Sequence, residues 1–348
     1  MDAAFTNMQP AVSEAGRRMC CIAIDAEEDF DWDNPIQGTP KTTFHLRNLR
    51  VLEGILAAYG ATPTYLLTYP VLMDPEAVTI IRRQLEKSAC AVGLQLHPWV
   101  TPPFGDDKSH RASFLGNLDA GQEEQKLLAL RSRFIECFGF EPRVYRAGRY
   151  GLSEHTPALL EKHGFTIDTS IAPRTDFSGN GGPDYIGQDN TMFWFGAEKK
   201  LLEVPLCRSI VGWGGARAQQ VYQALAEHGD HRFGLMALMA RSRYAERITL
   251  SPEGNDVTAM RRLVNGLLAR GQTILPLSFH SSSLQAGHNP YVRSVADLHG
   301  FYDRLSAILD HMATKLGFTF GAIEDIPRML IQPRPATTVA PAAHALAV

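Results

Sequence analysis

The chain has 348 residues, 45% of them hydrophobic and 20% charged, with a formal net charge of −3 and a sequence pI near 6.5. That balance lacks the basic surface a nucleic-acid partner demands, so no nucleic-acid role is expected. No apolar run reaches the roughly 18 to 20 residues of a membrane span, and Met1 to Arg18 has no signal-peptide core.

A cytoplasmic protein, or one peripheral at the inner face of the membrane, is therefore expected, with no transmembrane segment and no indication of oligomeric state. Cys20, Cys21, Cys90, Cys137 and Cys207 are odd in number and lack CxxC spacing. They read as buried free thiols in a reducing compartment.

Residues 1–18 read as a flexible arm and the Pro/Ala/Thr-rich 332–348 as a disordered tail. Between them, 19–331 alternates strand and helix patterns. Met19–Asp25 is an apolar strand. Thr42 or Thr43 caps a helix that carries Leu46, Leu49, Leu52, Ile55 and Leu56 to a stop at Gly60. Strand Thr62–Thr68, helix Pro75–Lys87, strand Cys90–Leu96 and helix Gln122–Cys137 follow, the last closed by Gly139. Then come strand Arg143–Arg146, helix Glu154–His163 and strand Phe165–Asp168.

Ser170–Asn190 is a long Gly- and Pro-containing loop of the kind that carries function. Strand Leu201–Pro205, helix Arg217–His228, strand Arg247–Leu250 and a helix ending at Gly271 lead to the apolar strand Thr273–Phe279. Helix Ser294–Leu316 and strand Phe318–Phe320 end the pattern. Repeated βα units without a linker predict one parallel-stranded α/β domain, open or closed into a barrel.

The polar oddities gather where those strands end, the face on which parallel sheets and barrels place their sites. The first strand runs into Asp25–Asp33, DAEEDFDWD, a crowding of carboxylates costly for stability. If the strand continues, Asp25, Glu27 and Asp29 share one face, suited to a divalent metal or a general base; the alternative is a solvated acidic turn with Trp32 packed locally. Later strand ends carry Gln95 and His97, then Arg146 and Arg149, then Asp168 and Asp176, and finally His280.

In that order AIDAEEDFDW, VGLQLHPWV, YRAGRYG and LPLSFHSSSL resemble the motifs of the polysaccharide deacetylases with a NodB-homology domain, over about residues 19 to 325. HPWVTPP, RAGRYG and SFHSSSLQAGHNPYV are similar to a bacterial subgroup associated with surface-polysaccharide gene clusters. The resemblance implies a distorted (β/α) barrel with about seven parallel strands. It also implies metal-dependent removal of an N-acetyl group from a sugar or polysaccharide intermediate.

Carried over residue by residue, it makes Asp25 the general base, His280 the general acid and Arg146 the cation that holds the base ionised, with Arg149 as its alternative. It makes Glu27 and His97 metal ligands, with Asp29 in reserve. The family's second histidine, four residues on, is missing: position 101 is Thr. A third ligand could come from Asp29 or His110. Zn²⁺ is the expected ion; the acid-rich motif also suits Mn²⁺ or Mg²⁺. Trp99 is a candidate for stacking on a sugar. The rival functions are hydrolysis of a non-sugar amide or cyclic ureide, and sugar binding by an inactive relative.

Overall fold

The computed structural model describes residues 8–13, 16–32, 42–105, 107, 109–227 and 234–331. The expected tail lies outside these residues, as do 1–7 and 14–15 of the expected arm. The arm's described part is tied down: β1 (Gln9–Pro10) pairs antiparallel with β7 (Phe193–Phe195).

The first βα units follow the apolar patterning. β2 (Met19–Ala26) leads through a 3-10 turn, Phe44–Asn48, into α1 (Leu49–Ala57). β3 (Thr64–Leu67) leads into the short α2 (Tyr69–Met73), then α3 (Pro75–Glu86), whose first turn is capped by the Asp74 carboxylate. β4 (Ala91–Leu96) precedes α4 (Ala120–Phe138), which opens on an Asp119/Gln122 capping box and closes on Gly139 at φ 79°. β5 (Val144–Ala147), α5 (Thr156–Lys162), β6 (Ile167–Asp168) and β8 (Leu201–Glu203) complete this half.

Beyond it, β9 (Arg208–Val211) and β10 (Glu246–Thr249) form a separate antiparallel ribbon, with α6 (Gly215–Glu227) and α7 (Leu235–Arg241) between them in the chain. The chain then runs through α8 (Val257–Ala269), β11 (Ile274–His280), α9 (Val295–Asp310) and β12 (Thr319–Gly321). The helix expected to reach Leu316 loses regular α-geometry after Asp310 and ends in a π-turn, His311–Lys315. α2, α7, β7 and β9 went unread in the sequence because each is too short to show a period.

Seven parallel strands lie side by side in the order β8-β6-β5-β4-β3-β2-β11. A backbone relay joins the two ends: Leu206 N–H to Ile171 O (2.9 Å), Leu250 N–H to Cys207 O (2.8 Å) and Ser278 N–H to Leu250 O (3.1 Å). The result is a distorted (β/α) barrel. Met19, Cys21, Ala23, Leu66, Val144, Leu202 and Ile274 fill its interior, and Ile323, Ile326 and Met329 join them from the turn after β12. The alternate residues, among them Ile22, Ile24, Leu275, Leu277 and Phe279, pack outward against the helices.

Candidate active site

Two-residue alternation decides which polar side chains enter the barrel mouth. On β2 the interior series Met19, Cys21, Ala23 continues to Asp25, and on β5 Val144 continues to Arg146. On β11 the series from Ile274 continues through Pro276 and Ser278 to His280. The parallel register then sets His280 directly beside Asp25.

Asp25 and Arg146 are 2% and 1% exposed, and Arg146 Nη1 donates to Asp25 Oδ1. The rest of the guanidinium is fixed by Thr169, whose carbonyl accepts from Nε at 3.1 Å and whose hydroxyl accepts from Nη2 at 2.9 Å. Across from it, His280 Nε2 lies 3.7 Å from Asp25 Oδ2. Glu253, in the loop before α8, meets His280 Nδ1 at 2.8 Å. Burial would lower the His280 pKa, but Glu253, Glu27 and Asp25 outweigh it and push it up to about 10.

Arg149, the alternative partner for Asp25, turns elsewhere. It adopts φ 53°, followed by Tyr150 at φ 58°, a costly left-handed pair for side-chain-bearing residues. The Arg149 guanidinium reaches Ser113 Oγ at 2.6 Å and His110 Nε2 at 3.2 Å. This engages both Arg149 and His110 with each other rather than with the acidic motif.

The candidate metal ligands divide into two groups. Glu27 and His97 do meet, Oε2 to Nε2 at 3.5 Å, beside Gln95, whose Nε2 donates to the same Glu27 oxygen at 3.3 Å. The other His97 nitrogen, Nδ1, is taken by Glu28 at 2.9 Å. Burial holds the Glu27 carboxyl well above the usual carboxylate range. Trp99 stacks on His97 at 4.2 Å between ring centroids. Gly148 allows the close approach of β5, since a Cβ there would sit 2.5 Å from His97 Cδ2.

Asp29 does not join them. β2 stops at Ala26, so the alternation behind that expectation stops too, and the Asp29 N–H bonds to Thr42 O at 2.7 Å. There Asp29 meets two histidines. Oδ1 lies 3.1 Å from His45 Nδ1 and Oδ2 lies 2.7 Å from His288 Nδ1.

The ligand atoms of these three residues all fall within 4.8 Å of one another. Asp29 Oδ1 and His45 Nδ1 are buried, face each other and have no hydrogen-bond partner. Orphaned polar atoms so placed suit a cation between them. Two imidazoles and a carboxylate match the donor set of an open divalent-metal site. Burial opposes ionisation, but the surrounding His45, Thr42 and His288 side chains outweigh it and lower the Asp29 pKa, keeping it anionic. His45 Nε2 is oriented by Ser281 Oγ at 2.9 Å.

Asp168 and Glu203 are neighbours on β6 and β8, but alternation from Ile167 and Leu202 turns them away from the barrel interior. Burial raises Asp168 to about 6 and Glu203 well above the usual range. Asp176 is occupied in a tight turn, accepting from Ser178 N–H at 2.8 Å.

The sequence reading missed Glu28, His45, Glu253 and His288. His45 carried one signal: it precedes Leu49 by four and Leu52 by seven residues, so it shares their buried stripe. His288 lies within the SFHSSSLQAGHNPYV segment already singled out.

A parallel barrel with an acid, an arginine and a histidine at its C-terminal mouth defines a (β/α)-barrel protein with a candidate active site. No family model matches the sequence, and no curated protein does. Solved structures do match.

Puue allantoinase aligns over 93% of this chain and 94% of its own at 13% identity, with a TM-score of 0.51. A Pseudomonas aeruginosa PAO1 protein assigned as a polysaccharide deacetylase aligns over 89% and 90% at 13% identity, TM-score 0.49. A Mycobacterium smegmatis protein assigned likewise aligns over 94% and 99% at 16% identity, TM-score 0.47. The chain shares the fold of the allantoinase, and that (β/α) barrel is the fold implied by the motif resemblance. Among the described residues, no helix is long and apolar enough to cross a membrane.

Proposed function

We propose that the protein is a metal-dependent hydrolase that removes an N-acetyl group from a sugar or polysaccharide precursor. The observation that carries this reading is the facing pair Asp25 and His280, 3.7 Å apart, each fixed from behind by a group of opposite charge. Asp25, held in place by Arg146, takes a proton from the attacking water. His280, kept protonated by Glu253, gives a proton to the departing nitrogen. The C–N bond breaks, and water supplies the hydroxyl of acetate and the hydrogen of the amine.

Asp29, His45 and His288 would hold the metal, with Zn²⁺ the expected ion and Mn²⁺ or Mg²⁺ the alternatives. A bound divalent ion supplies carbonyl polarisation and a more acidic water. Glu27, Gln95 and His97 form a second polar wall.

The test is acetate release from N-acetylated sugars, run beside metal analysis. Acetate release that is lost in His280→Ala, while metal content stays, supports the assignment; unchanged activity in that variant removes the acid role.

Cavity size favours a second reading, hydrolysis of a small amide or cyclic ureide. The space beside Asp25 and His280 holds about 320 Å³, at the small end of ligand pockets. Ring-opening products or ammonia in place of acetate would select that reading. Sugar binding with neither metal nor turnover would select an inactive relative.

A further inference from the structure

The cavity beside Asp25 and His280 has an unbalanced charge inventory. Its wall includes the carboxylates Asp25 and Glu253 and the guanidinium groups Arg208 and Arg247. Both carboxylates are committed, Asp25 to Arg146 and Glu253 to His280. Neither Arg208 nor Arg247 has a carboxylate partner among the described residues. Arg208 Nε donates to Thr249 Oγ1 at 2.8 Å and Nη1 to Thr175 Oγ1 at 2.5 Å. Those two contacts leave three of the five N–H donors of a guanidinium unassigned. Among the described residues, Arg247 Nη1 donates to the Arg174 carbonyl, at 3.1 Å.

An arginine so enclosed, with hydroxyls for partners and a second arginine nearby, is costly unless an anion completes it. Burial, with repulsion from Arg247, lowers the Arg208 pKa to about 10. The fold supplies the placement. Arg208 opens β9 opposite Thr249 of β10, so the ribbon outside the barrel delivers both cations to the barrel mouth.

We propose that Arg208 and Arg247 form an anion subsite, so that the substrate carries a carboxylate or phosphate beside its scissile amide. The subsite rests on the reading of this cavity as the substrate site, not on the reaction performed there.

The experiment is calorimetric titration of the full chain, at low salt, with inorganic phosphate, a phosphorylated N-acetylglucosamine, N-acetylmuramic acid and neutral N-acetylglucosamine. An anionic sugar is expected to bind at least about tenfold tighter than the neutral one, the worth of one charge-assisted contact. Preference for the phosphorylated sugar identifies phosphate as the anion; preference for N-acetylmuramic acid identifies carboxylate.

Arg208→Gln should lose most of that preference and Arg247→Gln part of it. Arg247 is exposed, so its variant keeps the test decisive if Arg208→Gln does not fold. Equal affinity for charged and neutral sugars in the parent, or full preference retained by either folded Arg208→Gln or Arg247→Gln, overturns the subsite. Acetate release is scored separately: anion preference without acetate supports the subsite while removing the deacetylase reading, and acetate without anion preference does the reverse.

Discussion

Glu253 grips His280 at two points: Oε1 accepts its backbone N–H at 2.9 Å and Oε2 meets ring Nδ1 at 2.8 Å. The double contact fixes the ring, so that Nε2 is the nitrogen offered to Asp25. It also fixes the proton. The His280 pKa of about 10 lies above its ordinary 6.5, so the favourable charge contribution is complete below about pH 6.5 and is lost as pH rises through about 10. Imidazole NMR of metal-free protein should find His280 still protonated at about pH 8. Glu253→Gln should lower its titration by at least about one pH unit. An unmoved titration would remove Glu253 from this role.

The Asp25–Arg146 pair is buried on both sides. Asp25→Asn leaves the guanidinium without its counter-charge, and denaturant melts should show a loss of about 3–5 kcal/mol. Acetate release should fall at least about a hundredfold, since the base is gone. Adding Arg146→Met should restore part of the stability and none of the activity. A single variant as stable as the parent would mean that the pair carries no structural weight.

Metal content separates the two candidate clusters. The parent should bind about one equivalent of Zn²⁺ or Mn²⁺, as a single open site does. Asp29→Ala and His45→Ala should lose it and His97→Ala should keep it. The opposite pattern would return the ion to Glu27 and His97.

Asp168 and Glu203 set a pH dependence of stability. Burial raises both carboxyl groups, Asp168 to about 6 and Glu203 further. The folded state therefore holds protons that the unfolded state has released, and stability falls as pH rises from about 4 through about 6 and above. Glu203→Gln removes one of the two acids and should flatten the melting temperature across that range. Equal slopes in parent and variant would show that the pair does not titrate there.

Most strands and helices were legible because their side chains repeat. β2, β4 and β11 are apolar runs, and α4 carries its capping box and terminal glycine in the sequence itself. Asp25, Arg146 and His280 were legible for a related reason: each is a polar residue at the end of an interior series. Asp29 parts from Glu27 because β2 ends at Ala26, where the alternation that grouped them stops. Glu253 and His288 come from loops, where no period says which way a side chain points, and His45 carried only the helical stripe it shares with Leu49 and Leu52, which marks burial and not function.

The motif resemblance implied the barrel, and the sequence by itself determined the order of βα units and the three polar residues that end the interior strand series. Those follow from local periodicity and from pairing between neighbouring strands. Only the tertiary structure decided which histidines meet Asp29, which acid holds His280, and that Arg208 and Arg247 reach the same cavity. His45 and Asp29 are 16 residues apart in the chain and His288 is 259 from Asp29. Contacts over such separations depend on loop paths and barrel closure, which local side-chain patterns do not encode.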